Sequence, residues 1–175
     1  MGDEPGSLLQ REIQQNRPFR SRGQEALLGV LRTADLMRRI VGGVLEPFGV
    51  TMQQYNVLRI LRGAGEAGLP TLAIADRMIE RTPGVTRLLD RLEAKGWVQR
   101  ERTRADRRQV LCQITAAGRE LLARVDGPMA GIDQQALGCL TPAEVEQLIT
   151  LLDRVRQGTG SSAPDLGKRE GGTNQ

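Results

Sequence analysis

The feature that most constrains this chain is residues 82–115, TPGVTRLLDRLEAKGWVQRERTRADRRQVLCQIT. Thr82 is a residue type favoured at a helix N-cap, and Pro83 suits a first helical position, where a missing N–H costs nothing. Val85, Leu88, Leu89 and Leu92 then recur at helical spacing as one apolar stripe. Gly96 follows Lys95, a cation and then a glycine, which marks a helix C-terminus. Beyond it Val98, Arg100 and Arg102 alternate with Trp97, Gln99 and Glu101. On the return Val110, Cys112 and Ile114 alternate with Leu111 and Gln113. Period two on both sides of an arginine-rich tip predicts a β-hairpin. A short helix followed by a cationic hairpin has the dimensions to occupy one groove of a duplex and touch the next.

The charge pattern points the same way. Residues 76–108 hold ten basic residues against six acidic ones, which accounts for the whole formal net charge of +4. A cationic field confined to one segment is the footprint of a polyanion partner. Histidine is absent from the sequence, which removes the usual general base and the commonest metal ligand. The two cysteines, Cys112 and Cys139, form neither a disulfide framework nor a CxxC pair; each is expected to be a small buried hydrophobe rather than a redox sensor. No nucleophile–base pair or phosphate loop is recognisable, so no enzyme, cofactor or metal site is expected. The first residues lack the apolar run of a signal peptide, and no window reaches membrane-spanning length. The expectation is a cytoplasmic protein.

Aromatic residues make up 2% of the chain, so the core must be aliphatic. Residues 1–20 are read as an N-terminal arm in which Leu8, Leu9 and Ile13 could form a short amphipathic turn. Ser21 and Gln24 suggest a capping box opening a long helix over 22–46, ended by Pro47. Its apolar residues, from Leu27 to Leu45, hold one face, and at roughly 1.5 Å per residue the helix spans more than 30 Å, too long for a small module to bury alone. Thr51 and Gln54 repeat the box before a helix to about Arg62, and GAGEAG (63–68) is expected to be a loop. Thr71 is expected to cap a helix to about Met78, tightly joined to the one starting at Thr82, as in a helix-turn-helix. After the hairpin a helical run from Thr115 to Leu137 is expected to kink or split near Asp126 and Gly127, ahead of Pro128. Thr141, Pro142 and Glu144 start a last helix to about Arg156. Residues 158–175 are too poor in apolar residues to order themselves.

The order of these elements resembles the multiple-antibiotic-resistance regulator (MarR) family of bacterial transcription factors. The resemblance rests on VTRLLDRLEAKGWVQR (85–100) and on DRRQVLCQITAAG (106–118). The second carries the family's Asp-x-Arg as Asp106 and Arg108, and its apolar–Thr pair as Ile114 and Thr115. It departs at Gln109, where a small residue is commoner. The resemblance implies a mainly α fold with a small β-hairpin wing: a winged helix-turn-helix over about 51–115, plus a helical dimerisation region from about 22–46 and 116–157, within one domain spanning 21–157. It also implies a sequence-specific regulator of double-stranded DNA, commonly a repressor, that grips a palindromic operator as a homodimer.

On this resemblance Thr82, Pro83, Gly84, Thr86, Arg87 and Arg91 form the recognition helix. An arginine there can bind guanine bidentately, and a hydroxyl can meet a phosphate or a base edge. On the wing, Arg102, Arg104 and Arg107 are expected on phosphates and Arg108 in the minor groove, with Asp106 orienting it. Asp90 is expected to orient a neighbouring arginine. Family members commonly release DNA when a small aromatic or amphipathic effector binds, and Met37, Phe48, Met52 and Tyr55 could line its pocket. A non-specific architectural DNA binder would share the charge without needing a groove-reading helix. The two differ in specificity ratio at fixed salt.

Overall fold

The computed structural model describes residues 7–81, 83–102 and 110–160. The arm contributes α1 (Leu8–Glu12), capped by the Ser7 hydroxyl accepting from the Gln10 amide at 3.3 Å. Next comes α2 (Arg22–Leu45), in which the Ser21 hydroxyl accepts from the Gln24 amide at 3.1 Å. The Gln24 side chain accepts from the Arg20 amide at 2.8 Å, one residue further back than a capping box requires. Pro47 ends α2 by drawing the chain into a 3-10 turn, Glu46–Phe48, closed by the left-handed Gly49. Helix α3 (Met52–Ala64) starts with the full Thr51–Gln54 capping box, both bonds at 3.2 Å.

The GAGEAG stretch is more regular than expected. Its first two residues finish α3, and the next three form a second 3-10 turn, Gly65–Ala67. The chain then makes a two-residue strand, β1 (Leu69–Pro70), too short to leave an alternating pattern in the sequence. Gly68 allows this approach: a Cβ there would sit 2.7 Å from the Cys112 carbonyl oxygen. Helix α4 (Thr71–Arg77) is N-capped by Pro70, so Thr71 is its first residue and not its cap. The Thr71 hydroxyl instead lies 3.9 Å from the Cys112 sulfur.

Helix α5 (Val85–Ala94) leads to β2 (Val98–Arg102), which pairs antiparallel with β3 (Val110–Ile114) in the register Val98–Ile114 and Arg100–Cys112. With β1 on the other side of β3, the sheet order is β1-β3-β2. Helix α6 (Ala116–Met129) runs through Pro128 and ends one residue later, so the expected break falls at Ala130 and Gly131. Pro128 cannot bond the Arg124 carbonyl and its ring crowds the preceding turn, and the helix stops directly after it.

The core is aliphatic, as the composition requires. Leu58 and Leu61 of α3, Ile74 of α4, Leu89 and Leu92 of α5, and Leu121, Leu122 and Val125 of α6 are all buried in one cluster. In contrast, α2 buries only Leu45 completely and exposes Leu27 to 60%, Val30 to 48% and Leu31 to 56%.

Contacts separate a unit ending at Ile132 from one beginning at Asp133. The latter carries all but the first residue of α7 (Ile132–Leu137) and the whole of α8 (Pro142–Gly160), which opens with a Thr141–Glu144 capping box at 2.7 and 3.3 Å. Helix α8 runs four residues past Arg156 and so includes Gly158, where the tail was expected to begin. Ile149, Leu151 and Val155 are exposed along it. Cys139, expected to be buried, is exposed between the two helices; Cys112 is fully buried on β3.

The junction of sheet and α6 is closely packed. Thr115 donates its amide to the Trp97 carbonyl at 3.1 Å and its hydroxyl to the Gly96 carbonyl at 2.7 Å, while that hydroxyl accepts from the Gly118 amide at 3.1 Å. A Cβ on Gly118 would lie 2.4 Å from the Trp97 carbonyl oxygen and 2.8 Å from Ile114 Cγ1. Gly127, on the same helix, has nothing within 4 Å of such a Cβ. Gly118→Ala should therefore cost about 2–3 kcal/mol through overpacking, whereas Gly127→Ala should gain about 0.5–1 kcal/mol from helix propensity. Urea midpoints of the two variants check both signs.

Candidate nucleic-acid interface

The helix-turn-helix owes its geometry to two glycines. Gly84, at φ 101° and ψ 31°, is the N-cap of α5, with no side chain capping it. Pro83 and Gly84 make the turn into the helix, so α5 begins at Val85, later than the sequence pattern suggested; Thr82 lies outside the described residues. Proline fits such a turn and glycine the left-handed residue that closes it. At the other end Gly96, at φ 70°, takes the left-handed conformation. Its amide bonds the Glu93 carbonyl at 2.8 Å and the Trp97 amide bonds the Leu92 carbonyl at 3.0 Å, the pairing of a Schellman motif.

Between these ends α5 is strongly two-faced. Val85, Leu88, Leu89 and Leu92 are buried, while Thr86, Arg87, Asp90 and Arg91 are exposed. Pro83 and Gly84 are also exposed, just ahead of the helix. Arg91 folds back along α5, donating from Nε to the Arg87 carbonyl at 3.3 Å. Among the described residues neither Arg87 nor Arg91 has an acidic partner.

The acids on α5 explain why. Arg100 reaches across from β2, donating from Nε to Glu93 at 2.9 Å and from a terminal nitrogen to Asp90. Hydrogen bonding to Asp90, reinforced by Glu93, holds the Arg100 guanidinium above its ordinary range. Asp90 therefore orients an arginine, as its position suggested, but one on the wing strand. Lys95 is likewise engaged inside the fold, donating to the Gly49 carbonyl at 2.8 Å and lying 4.4 Å from the centre of the Trp97 ring. Two of the ten basic residues thus brace the fold, and two of the six acids are neutralised by one of them.

Of the wing residues, Arg102 ends β2, while Arg104, Asp106, Arg107 and Arg108 lie outside the described residues. Of the residues suggested for an effector pocket, Met52 and Tyr55 line a cleft of about 440 Å³, with Val41, Asn56, Arg59, Ile60, Ile79 and Met129. Met37 and Phe48 are not among its walls. Phe48 sits in the 3-10 turn after α2 and packs on the core, and Val41 takes the place on α2 that Met37 was expected to fill. Arg59 stands 5.8 Å from the Tyr55 ring centre.

The arrangement has relatives. The MarR family model matches residues 50–110, the span from α3 to the wing. The regulator PecS of Dickeya dadantii is 31% identical over 134 residues, covering 75% of this chain and 80% of PecS. A MarR transcription factor from Planctomyces limnophilus, solved by crystallography, is 40% identical with a TM-score of 0.60, over 78% of this chain and 98% of the other. The chain belongs to the MarR family. A MarR variant from E. coli solved with operator DNA is 26% identical with a TM-score of 0.68, over 86% and 99% of the two chains. As a MarR-family protein, the chain is a DNA-binding transcriptional regulator and not an enzyme. Among its described residues no helix is long and apolar enough to cross a membrane, and no cluster of three or more histidine, cysteine or acidic residues could hold a metal ion.

Two outcomes follow for the bracing of α5. Arg100→Ala should lower the urea midpoint by the equivalent of about 1–2 kcal/mol, with Arg100→Lys recovering only part of it because a point charge cannot fork between two acids. Burial pushes the Cys112 thiol above its ordinary range. In the native protein at pH 8 it should resist a soluble aromatic disulfide reagent and react only on unfolding, as absorbance titration would show.

Proposed function

We propose that this regulator is a cytoplasmic repressor that binds a palindromic operator as a homodimer and lets go when a small aromatic or amphipathic molecule enters the α3 cleft. The observation that carries the reading is the exposed edge of α5. Thr86, Arg87 and Arg91 stand opposite a leucine face that is wholly buried, and the nearby acids are occupied by Arg100. Arg87 and Arg91 reach base edges in the major groove, and Thr86, with the turn at Pro83 and Gly84 and the preceding Thr82, approaches the backbone.

The wing extends the grip. On the family resemblance, Arg102, Arg104 and Arg107 neutralise phosphates, while Arg108, oriented by Asp106, enters the minor groove. Dimerisation is supported by the apolar side chains left exposed on α2 and α8, which a second copy would cover. Two-fold symmetry then places two α5 helices about one DNA turn apart. The cleft supports effector binding by its size and largely apolar walls.

The test is selection from a random duplex pool at one fixed salt concentration. The expected product is an inverted repeat with half-sites roughly 10 bp apart. Arg87→Ala should relax base preference within each half-site at a cost of about 1–3 kcal/mol, and Arg108→Ala should weaken binding most on A·T-rich flanks. Enrichment of no motif would favour non-specific binding. Wild-type behaviour of both variants would refute the residue assignment.

A further inference from the structure

The connector between α4 and α5 is held at two successive residues by side chains from two other helices. The Ile79 amide donates to the Asn56 carboxamide oxygen of α3 at 3.0 Å. The Glu80 carboxylate accepts from Arg38 Nε of α2 at 2.7 Å. No regular helix supports this connector: α4 is C-capped at Met78 and α5 begins at Val85. One of these partners borders the cleft, and the other lies about one helical turn from it. Asn56 and Ile79 are wall residues, and Val41 stands on α2 three residues beyond Arg38. Ile79 is 76% exposed, so little core packing holds it in place.

We propose that Asn56 and Arg38 are positioning residues that set the placement of α5 through Ile79 and Glu80, and that an occupant of the cleft acts on operator affinity by dislodging this two-point latch. The coupling is short and physical. A group filling the cleft presses directly on Ile79 and Asn56, the two residues joined by the first hydrogen bond. Once that bond opens, the Arg38–Glu80 pair remains. Such an exposed pair contributes little by itself, so the connector and the helix it feeds can shift together. The latch needs no dedicated effector chemistry beyond bulk against Ile79. Its cleft arm rests on the reading of the cleft as an effector site, whereas the role of Asn56 and Arg38 stands without it.

Five substitutions and two readouts test this in the full-length protein. Asn56→Ala should raise amide hydrogen exchange at Ile79 and its neighbours, leave Leu88–Leu92 protected, and weaken binding to the selected duplex about fivefold. Arg38→Glu should weaken binding up to about fivefold, and adding Glu80→Arg should restore it, a recovery that general loss of structure cannot produce. Val41→Phe on α2 or Ile60→Trp on α3 should mimic an occupant, raising exchange at Ile79 and reducing operator affinity about fivefold or more. In the Asn56→Ala background either should have little further effect. Two walls are used so that one poorly folding variant does not decide the matter, with circular dichroism as the check. Unchanged exchange at Ile79 in Asn56→Ala, failed charge-reversal rescue, or filled variants that fold and bind like the parent would each overturn the proposal. Exchange is measured without DNA, so a lack of operator preference would count against the proposed function while the exchange arm still judged the latch.

Discussion

The burial of one helical stripe governs this molecule. Val85, Leu88, Leu89 and Leu92 commit α5 to a single rotation about its own axis, because turning it by even a quarter would bring charged side chains against Leu58, Leu61 and Ile74. Burying such a stripe is worth roughly 1.5–3 kcal/mol per side chain, far more than any ion pair on the opposite face. The hydrophobic core therefore decides which residues of α5 face outward, and the polar residues have no vote in it.

Charge is then distributed around that fixed helix. Arg100 is spent on Asp90 and Glu93, and Lys95 on the Gly49 carbonyl and the Trp97 ring. These contacts tie α5 to the wing strand at one side and to the turn before α3 at the other. The Thr115–Gly118 junction fastens the other strand of the wing to α6. The described parts of helix and wing are thus braced against one another. What stays exposed on the outward edge is a pair of arginines and a threonine, with the nearby acids Asp90 and Glu93 taken up by Arg100.

Much of this was legible in the sequence wherever the signal was local. The stripe on α5, the Thr51–Gln54 and Thr141–Glu144 boxes and the glycine stop at Gly96 each depend on residues within a turn or two of one another, and each is found where the pattern put it. The start of α5 was misplaced because Thr82 and Pro83 satisfy the same rules whether the helix begins with them or the chain still has a turn to make; the left-handed Gly84 settles it. Strand β1 has only two residues, too few for a period. Pairings across the fold left no trace at all. Arg38 and Glu80 stand 42 positions apart, and nothing in either neighbourhood names the other. Arg100 looked like one more cation of the wing, since alternation says which way a strand residue faces but not what waits there. Cys139 looked like a small core residue from its type alone, and type was a poor guide in a connector between two helices.

The division of labour on α5 also bears on how such a protein changes over generations. Its inward residues answer to the core, and its outward residues at 86, 87 and 91 are exposed. If those three positions read the operator as proposed, substitution there would retune which operators are recognised while the fold stays intact, so descendants would be free to acquire new target genes without first passing through an unfolded ancestor.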